Sequence, residues 1–364
     1  MTAITPTGYA APTEPNATRE RAIAIGRGLG RYLAAYGAAL VAFGVIVMLK
    51  GANPVTTIVD MVRGTLDTQS MADVFVRTAP YLLAALAVTV PARAGLVNVG
   101  GEGQIVIGCV GAALAARWFD GDLAGWLVIA VMMLFSAIAG ALWSGLAGAM
   151  RVGLRIPEAI TTLLLNYVAI DVMLYLIYDP WKDPSGTGQP TSKPLSESAQ
   201  LPTFGFGEGT MNIGIFIALA AAVLIWIVFR STTWGFTLRV VGGNGDAAKR
   251  AGLPVGRLLL SAMLVGGALA GIAGMVYFAG SEYKLRPGMA LGFGYTAFLA
   301  SWLGRHHPLK VIGASFLLAF LAIGGTSLQL DAGLPAATVN VLMALVLLAV
   351  LATGNVSILA RKEK

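Results

Sequence analysis

The chain has 364 residues, of which 57% are hydrophobic and only 12% charged, and its mean hydropathy is +0.76. A soluble domain carries about a quarter charged residues, so this composition excludes an ordinary soluble protein and indicates a membrane protein. The net charge of +7 does not require a nucleic-acid partner, because Lys and Arg accumulate in the cytoplasmic loops of polytopic proteins. The single cysteine, Cys109, excludes an internal disulfide.

Ten apolar segments predict an all-α polytopic membrane protein with about ten transmembrane helices. They are Tyr32–Leu49, Val74–Val90, Val97–Ala116, Leu123–Met150, Ile156–Tyr178, Met211–Phe229, Leu258–Ala279, Leu291–Leu303, Val311–Leu328 and Pro335–Thr353. A spanning helix needs about 20 residues, so the eighth segment is short, and glycines interrupt the third. We therefore expect one broken or re-entrant segment, a feature that points to the solute path in transporters.

The positive charges predict that both termini are cytoplasmic. With ten crossings, 17 of the 25 Lys and Arg residues fall on the side of the N-terminus. These 17 are Arg19, Arg21, Arg27, Arg31, Arg93, Arg151, Arg155, Arg230, Arg239, Lys249, Arg250, Arg257, Arg305, Lys310, Arg361, Lys362 and Lys364. Because cytoplasmic loops hold the excess of positive charge, this bias favours N-in and C-in.

This topology divides the chain into a transmembrane domain, residues 32–353, and two cytoplasmic tails. Residues 1–31 lack an apolar signal-peptide core and are rich in Pro, Thr and Ala, so we expect them to be largely disordered. Residues 354–364 form the second tail. Residues 179–210 are expected to form a long external loop, with further external loops at Lys50–Asp73 and Gly280–Ala290, whereas 230–257 is a cytoplasmic loop.

Several chemistries have no support in the sequence. There is no Gly-Lys pair, so the chain lacks the phosphate-binding Walker loop of an ATPase. No metal-ligand spacing is present, and we interpret His306 and His307 as ordinary interfacial polar residues. Gly243–Ala248 fits a G-x-G-x-x-A dinucleotide pattern, but a span that begins near Leu258 leaves no room for the βαβ unit that this motif requires.

The stretch Gly95–Gly108 places polar side chains among glycines in an apolar segment. Asn98, Glu102 and Gln104 lie there. A carboxylate within a membrane faces the protein interior or a solute path, because lipid cannot solvate it. We predict that these residues line the solute path, with capping of a broken helix as the alternative, and both roles can coexist.

A second polar stretch begins at Pro157. Glu158 next to this proline suits the positive end of a helix dipole, which explains it without a further function. Asn166 lies deeper and must find a hydrogen-bonding partner, either on another helix or on a solute, so it is a further candidate for the path. Asp171 is a weaker candidate.

Two glycine-rich stretches have structural interpretations. Gly266–Gly274 (GGALAGIAG) has the small-residue pattern that allows helix backbones to approach closely, so we predict that it serves packing. In the 230–257 loop, Asn244 or Asp246 can cap a short helix that Gly252 and Pro254 end. A short helix fixed between two spans is suited to transmitting movement.

Several motifs together resemble one family, the permease subunits of ABC importers, and within it the branched-chain amino acid, ribose and simple-sugar group. The 230–257 loop resembles the coupling loop of that family through Gly235, Arg239, Val241, Gly242, Asn244, Ala247, Ala248, Ala251 and Gly252. GLVNVGGEGQ and PEAITTLLLNYVA resemble signatures of its nucleoside-type members. The loop that follows Asp179 is similar to the outer loop of the larger of their two paired subunits.

The resemblance implies a ten-helix importer permease in the cell (inner) membrane. It would pair with a second, smaller permease subunit, with cytoplasmic ATPase subunits and with an external lipoprotein or periplasmic solute-binding protein. It implies nucleosides as the solute, with simple sugars such as ribose next. ATP and Mg would be bound by the partner ATPase, and this chain would bind no cofactor and catalyse no reaction.

The expected mechanism is alternating access. ATP-driven movement of the ATPase would push the Asn244–Gly252 helix, and the solute would pass Asn98, Glu102, Gln104 and Asn166. The residues implied in ATPase coupling are Arg239, Gly242, Asn244, Ala247, Ala248 and Gly252. The alternative belongs to another class of transport protein. It is an ion-coupled transporter or channel that acts alone, with Glu102 or Asp171 as its ion site.

Overall fold

The computed structural model describes residues 34, 37–186, 188–332, 338, 340–345 and 348–349. The predicted tails, 1–31 and 354–364, lie outside the described residues, as does part of the tenth apolar segment. The chain divides into two compact units, one of Met1–Val55 and Asn340–Lys364, the other of Thr56–Val339. The site considered below lies in the second unit.

The described part of the chain is mainly helical. Its helices are α1 (Gly37–Leu49), α2 (Pro54–Leu66), α3 (Thr68–Arg93), α4 (Gly101–Phe119), α5 (Gly125–Gly153), α6 (Glu158–Tyr178), α7 (Gly214–Ser231), α8 (Thr233–Gly243), α9 (Gly245–Arg250), α10 (Val255–Tyr277), α11 (Phe293–Leu303) and α12 (Pro308–Ala332). A π-helical turn, Phe278–Glu282, continues α10, and a 3-10 turn occupies Glu197–Ala199.

Six of these helices are long and apolar enough to cross a membrane, namely α3, α5, α6, α7, α10 and α12. Counting α1 and α2 as one broken span raises the number to seven. Helix α11 has only 11 residues, and α4 carries Glu102 and Gln104 in its first turn and Arg117 in its last, so neither is among them. The polytopic helical class is therefore confirmed, whereas the count of ten and the orientation stay predictions.

The prediction that Lys50–Asp73 forms a loop is wrong, because α2 and the start of α3 occupy these residues. Helix α2 buries Thr57, Met61 and Thr65, which recur every four residues and share one face. Its opposite face exposes Asp60 and Arg63. These charges interrupt the apolar run, so a search for continuous apolar segments passes over an amphipathic helix of this kind.

Helix α10 packs backbone to backbone against its neighbours through the predicted glycine stretch. A Cβ placed on Gly271 would lie 1.9 Å from the carbonyl oxygen of Ser136 on α5, and one on Gly267 would lie 2.3 Å from that of Gly140. On the other side, a Cβ on Gly274 would lie 2.2 Å from the Ile105 oxygen on α4. The packing interpretation of Gly266–Gly274 is thus confirmed.

The two loops predicted to share the external face contact each other. The amide of Ser192 donates to the carbonyl of Leu285 (2.9 Å), and that of Leu195 donates to the carbonyl of Tyr283 (2.7 Å). The long loop ends in a hairpin of antiparallel strands β1 (Thr203–Phe206) and β2 (Gly209–Asn212). Backbone pairing therefore joins the two loops into one surface.

Candidate functional site

The site is built around a break between α3 and α4. Residues 94–100 are not helical, and Gly95 has a φ of 80°, a conformation that favours glycine. Leu96 is buried against Ala147 of α5 and Met263 of α10, which anchors the segment. Within the predicted Gly95–Gly108 stretch only the residues before Gly101 are irregular, because α4 is continuous from Gly101; a broken transmembrane segment here stays a prediction. We call residues 94–100 the break segment.

Three side chains of α6 bind the polar backbone groups that the break leaves without helical partners. The Glu158 carboxylate accepts from the Val97 amide (3.0 Å) and the Thr162 hydroxyl from the Val99 amide (3.2 Å). The Asn166 side-chain amide donates to the Val99 carbonyl (3.0 Å) and accepts from the Gly103 amide (2.8 Å). Residues four apart share one helix face, so α6 presents a polar ladder to the break segment.

The ladder gives Glu158 a role that the sequence interpretation missed. Besides lying at the N-terminus of α6, its carboxylate pairs with Arg151 of α5 at 3.1 Å. The spacing of Glu158, Thr162 and Asn166 is the sequence feature from which this role could have been predicted. Three polar residues at intervals of four in an apolar helix indicate a common polar partner.

Asn98 and Gln104 form a reciprocal amide pair. The Asn98 Nδ2 donates to Gln104 Oε1 (3.0 Å), and the Gln104 Nε2 donates to Asn98 Oδ1 (2.9 Å). The same Asn98 oxygen accepts from the Gly100 amide (3.0 Å), just before α4 begins. Both side chains are buried, so this pair fixes the shape of the break segment without solvent.

Glu102 lies between two helix N-termini. It is in the first turn of α4, and its two carboxylate oxygens accept from the amides of Gly292 (2.6 Å) and Gly294 (2.9 Å) at the start of α11. The helices touch here, since a Cβ on Gly294 would lie 2.0 Å from the Glu102 nitrogen. Both helix ends carry partial positive charge, which explains how a carboxylate with 2% exposure is accommodated.

All four predicted path residues therefore form one buried cluster, in which every side chain has protein partners. The hydrogen bonds of Asn98, Glu102, Gln104 and Asn166 account for the capping interpretation. Their role in a solute path stays a prediction. Asp171 lies apart from them, exposed on α6, and forms no hydrogen bond or ion pair with the described residues.

Two tyrosines at the edge of the cluster were not predicted. Tyr167 on α6 is 61% exposed and Tyr295 on α11 is 46% exposed. A polar aromatic side chain on a helix surface is typical of a surface that meets water or a partner protein. This edge is the part of the cluster that remains accessible.

The 230–257 loop contains two short helices, which confirms the predicted cap and rules out a dinucleotide fold. The Asn244 side chain accepts from the Ala247 amide (2.9 Å) and caps α9. Gly252, with a φ of 82°, follows the end of α9. The residues before Asn244 form helix α8, not the strand that a G-x-G-x-x-A site requires.

The predicted coupling residues have different environments. Arg239, Asn244 and Ala247 are exposed, as are Gly242 and Gly252, whereas Ala248 is 1% exposed and packs within the chain. One side of Gly242 meets the break segment, because a Cβ there would lie 2.4 Å from the Arg93 carbonyl oxygen. Contact of these residues with an ATPase stays a prediction, and Ala248 has an internal packing role.

Among the described residues, no group of three His, Cys, Asp or Glu side chains is placed to hold a metal. His306 lies in the short connection between α11 and α12. Its Nδ1 is 2.9 Å from the Ser301 hydroxyl, and burial lowers its pKa below the usual 6.5. Cys109 is buried, and its thiol donates to the Gly274 carbonyl (3.2 Å) within the α4–α10 contact.

Long apolar helices, a polar break between α3 and α4 and a capped helix in a connecting loop are typical of a multi-pass transport protein of the cell membrane. Residues 70–351 match the family model of the branched-chain amino acid transport system permease component. The chain belongs to this family of ABC importer permeases.

The relatives agree in class and differ in solute. A glucose ABC transporter permease of Haloferax volcanii is 36% identical over 85% of this chain and 84% of its own. A guanosine ABC transporter permease of Bacillus subtilis is 31% identical over 78% and 82%. A nucleoside ABC transporter permease of Lactococcus lactis is 29% identical over 88% and 90%. Bacillus subtilis and Lactococcus lactis each have a second permease similar to this chain, and it is named for the same solute as the first.

Proposed function

We propose that this chain is the larger permease subunit of a nucleoside importer and forms half of the translocation path. The observation that supports this solute most directly is the similarity to permeases named for guanosine and for nucleosides in two organisms. The glucose permease supports a simple sugar as the second candidate. A nucleoside contains a sugar ring, so a path that hydrogen-bonds hydroxyl groups is compatible with either solute.

The proposed topology has ten crossings with both termini in the cytoplasm. In this arrangement the loop that contains α8 and α9 faces the cytoplasm, and the joined loops around Ser192 and Leu285 face outward. The excess of Lys and Arg on the proposed cytoplasmic face supports cytoplasmic termini. Helix α4 and the shorter helix α11 contribute two further crossings, and their N-termini meet at Glu102.

The proposed coupling route begins at α9. An ATPase that closes on ATP and Mg would move α9 and α8, and Gly242 would transmit this movement to the break segment at Gly95. The break segment is bonded to α6 through Thr162 and Asn166, so a shift there would displace α6 relative to α4. Alternating access would follow from this displacement, with Tyr167 and Tyr295 at the accessible edge of the path.

The proposed partners are a second, smaller permease subunit, a cytoplasmic ATPase and an external solute-binding protein. The paired permeases of Bacillus subtilis and Lactococcus lactis support the second permease. The sequence contains no Walker loop, which supports a separate subunit as the source of ATP hydrolysis. The surface formed by the two joined loops is the proposed docking face of the solute-binding protein.

Two experiments test the proposal. Affinity purification of the full chain from its native membrane should recover an ATPase and a second permease, and recovery of the chain alone with full transport would favour an ion-coupled transporter. Uptake of labelled guanosine and glucose should then be compared in cells with and without the chain. Loss of guanosine uptake alone supports the nucleoside assignment, whereas loss of glucose uptake alone supports the sugar.

A further inference from the structure

A basic groove of about 750 Å³ opens where α5 ends and α10 begins. Four cationic residues and one acidic residue line its rim, namely Arg151, Arg155, Lys249, Arg257 and Asp246. Arg151 is paired with Glu158. The other three cations are exposed and form no ion pair or side-chain hydrogen bond with the described residues. The groove therefore offers three cations without an ion pair, from three separate segments, beside one carboxylate, Asp246.

Apolar side chains line the groove beside these charges. Val152, Leu253 and Leu259 are among them. A groove that combines cations with apolar side chains matches a molecule with an anionic head and hydrocarbon chains.

We propose that this groove binds the headgroup of an anionic phospholipid. The phosphate accepts hydrogen bonds from Arg155, Lys249 and Arg257, and the acyl chains lie along Val152, Leu253 and Leu259. Basic pockets between spans bind anionic headgroups in this way, because each nearby cation adds attraction that zwitterionic lipids do not provide. An acidic protein surface would use the same cations but would leave the apolar side chains of the groove without a partner.

The bound lipid would connect α9 to two spans. Lys249 belongs to α9, Arg155 follows α5 and Arg257 begins α10, so one headgroup that contacts all three limits the distance between α9 and the membrane. The inference is independent of the transported solute.

The test measures thermal unfolding of the full chain in neutral detergent with added phosphatidylglycerol, phosphatidylcholine or inorganic phosphate. Phosphatidylglycerol should raise the Tm, and the other two additives should not. The triple variant R155Q/K249Q/R257Q should lose most of this shift, with an affinity about five-fold weaker for each cation removed. A control with equal charge loss outside the groove, R230Q/R250Q/K310Q, should keep the shift.

Each other outcome overturns the proposal. An equal shift with phosphatidylcholine indicates a general lipid effect, and an equal shift with inorganic phosphate indicates a free-phosphate site. If the triple variant keeps the lipid shift but no longer recovers the ATPase, the cations serve that protein instead. If the triple variant does not fold, the single variant Arg257→Gln is measured, and an unchanged affinity for phosphatidylglycerol contradicts the proposed site.

Discussion

Gly242 at the end of α8 and Gly95 at the start of the break segment lie backbone against backbone. A Cβ on Gly242 would be 3.1 Å from the Gly95 nitrogen, and a Cβ on Gly95 would be 3.3 Å from the Gly242 Cα. The loop that carries the capped helix α9 is therefore in direct contact with the segment that carries Asn98. Two glycines are required because any side chain would separate the two backbones.

Gly242→Ala is expected to impair transport. The added Cβ would lie 2.4 Å from the Arg93 oxygen, so α8 must shift, at a cost of about 1–3 kcal/mol in the free energy of unfolding. The matched control is Gly243→Ala, because no atom lies within 4 Å of its Cβ position. Uptake and Tm should both fall for Gly242→Ala and be kept for Gly243→Ala. Equal behaviour of the two variants would contradict the importance of this contact.

Glu102→Gln distinguishes capping from a role in the solute path. The glutamine retains one acceptor oxygen, so one of the bonds to Gly292 and Gly294 is lost, which should cost about 1.5–3 kcal/mol of stability. A residue of the path should also change the KM for the solute. Thermal unfolding and uptake kinetics are measured together, and a normal KM for the folded fraction leaves capping as its sole role.

Ala247→Glu tests the predicted contact with the ATPase better than a change at Ala248. Ala247 is exposed, so a glutamate there should leave the chain folded in the membrane while it prevents docking of α9. Ala248 is buried, and a charge there should destabilise the α9 region itself. Recovery of the ATPase by affinity purification is the measurement. Normal ATPase recovery and normal uptake by Ala247→Glu would argue against α9 as the docking element.

Thr162→Val tests the polar ladder. Valine keeps the shape of threonine but leaves the partly buried Val99 amide without its partner, which should cost about 1–3 kcal/mol. The neighbouring Thr161→Val is the control, since the hydrogen bond of the Thr161 hydroxyl within the described residues goes to the Glu158 carbonyl of its own helix. The difference in Tm between the variants measures the ladder. If Thr161→Val is as destabilising, the contact with the break segment contributes little.

Local chemistry made some of these features predictable. Asn244 and Gly252 mark the two ends of α9 through capping and a left-handed backbone, which depend only on neighbouring residues. The glycines before Glu102 likewise indicated an irregular segment, which the structure shows at residues 94–100. The partners of the polar residues could not be predicted, because they are distant in sequence. Glu102 bonds to an amide 190 residues away, and no spacing rule relates two such positions.

His306 should give the chain an acid-sensitive stability. Because burial lowers its folded-state pKa below 6.5, the neutral ring is favoured on folding. The stabilisation is present above pH 6.5 and is lost as the pH falls through the folded-state pKa, with a slope below about 1.4 kcal/mol per pH unit. His306→Asn cannot titrate and suits the local φ of 52°. Its Tm should fall less with acidification than that of the unmodified chain, whereas the exposed control His307→Asn should follow the unmodified chain. Parallel Tm profiles for all three proteins would contradict this role of His306.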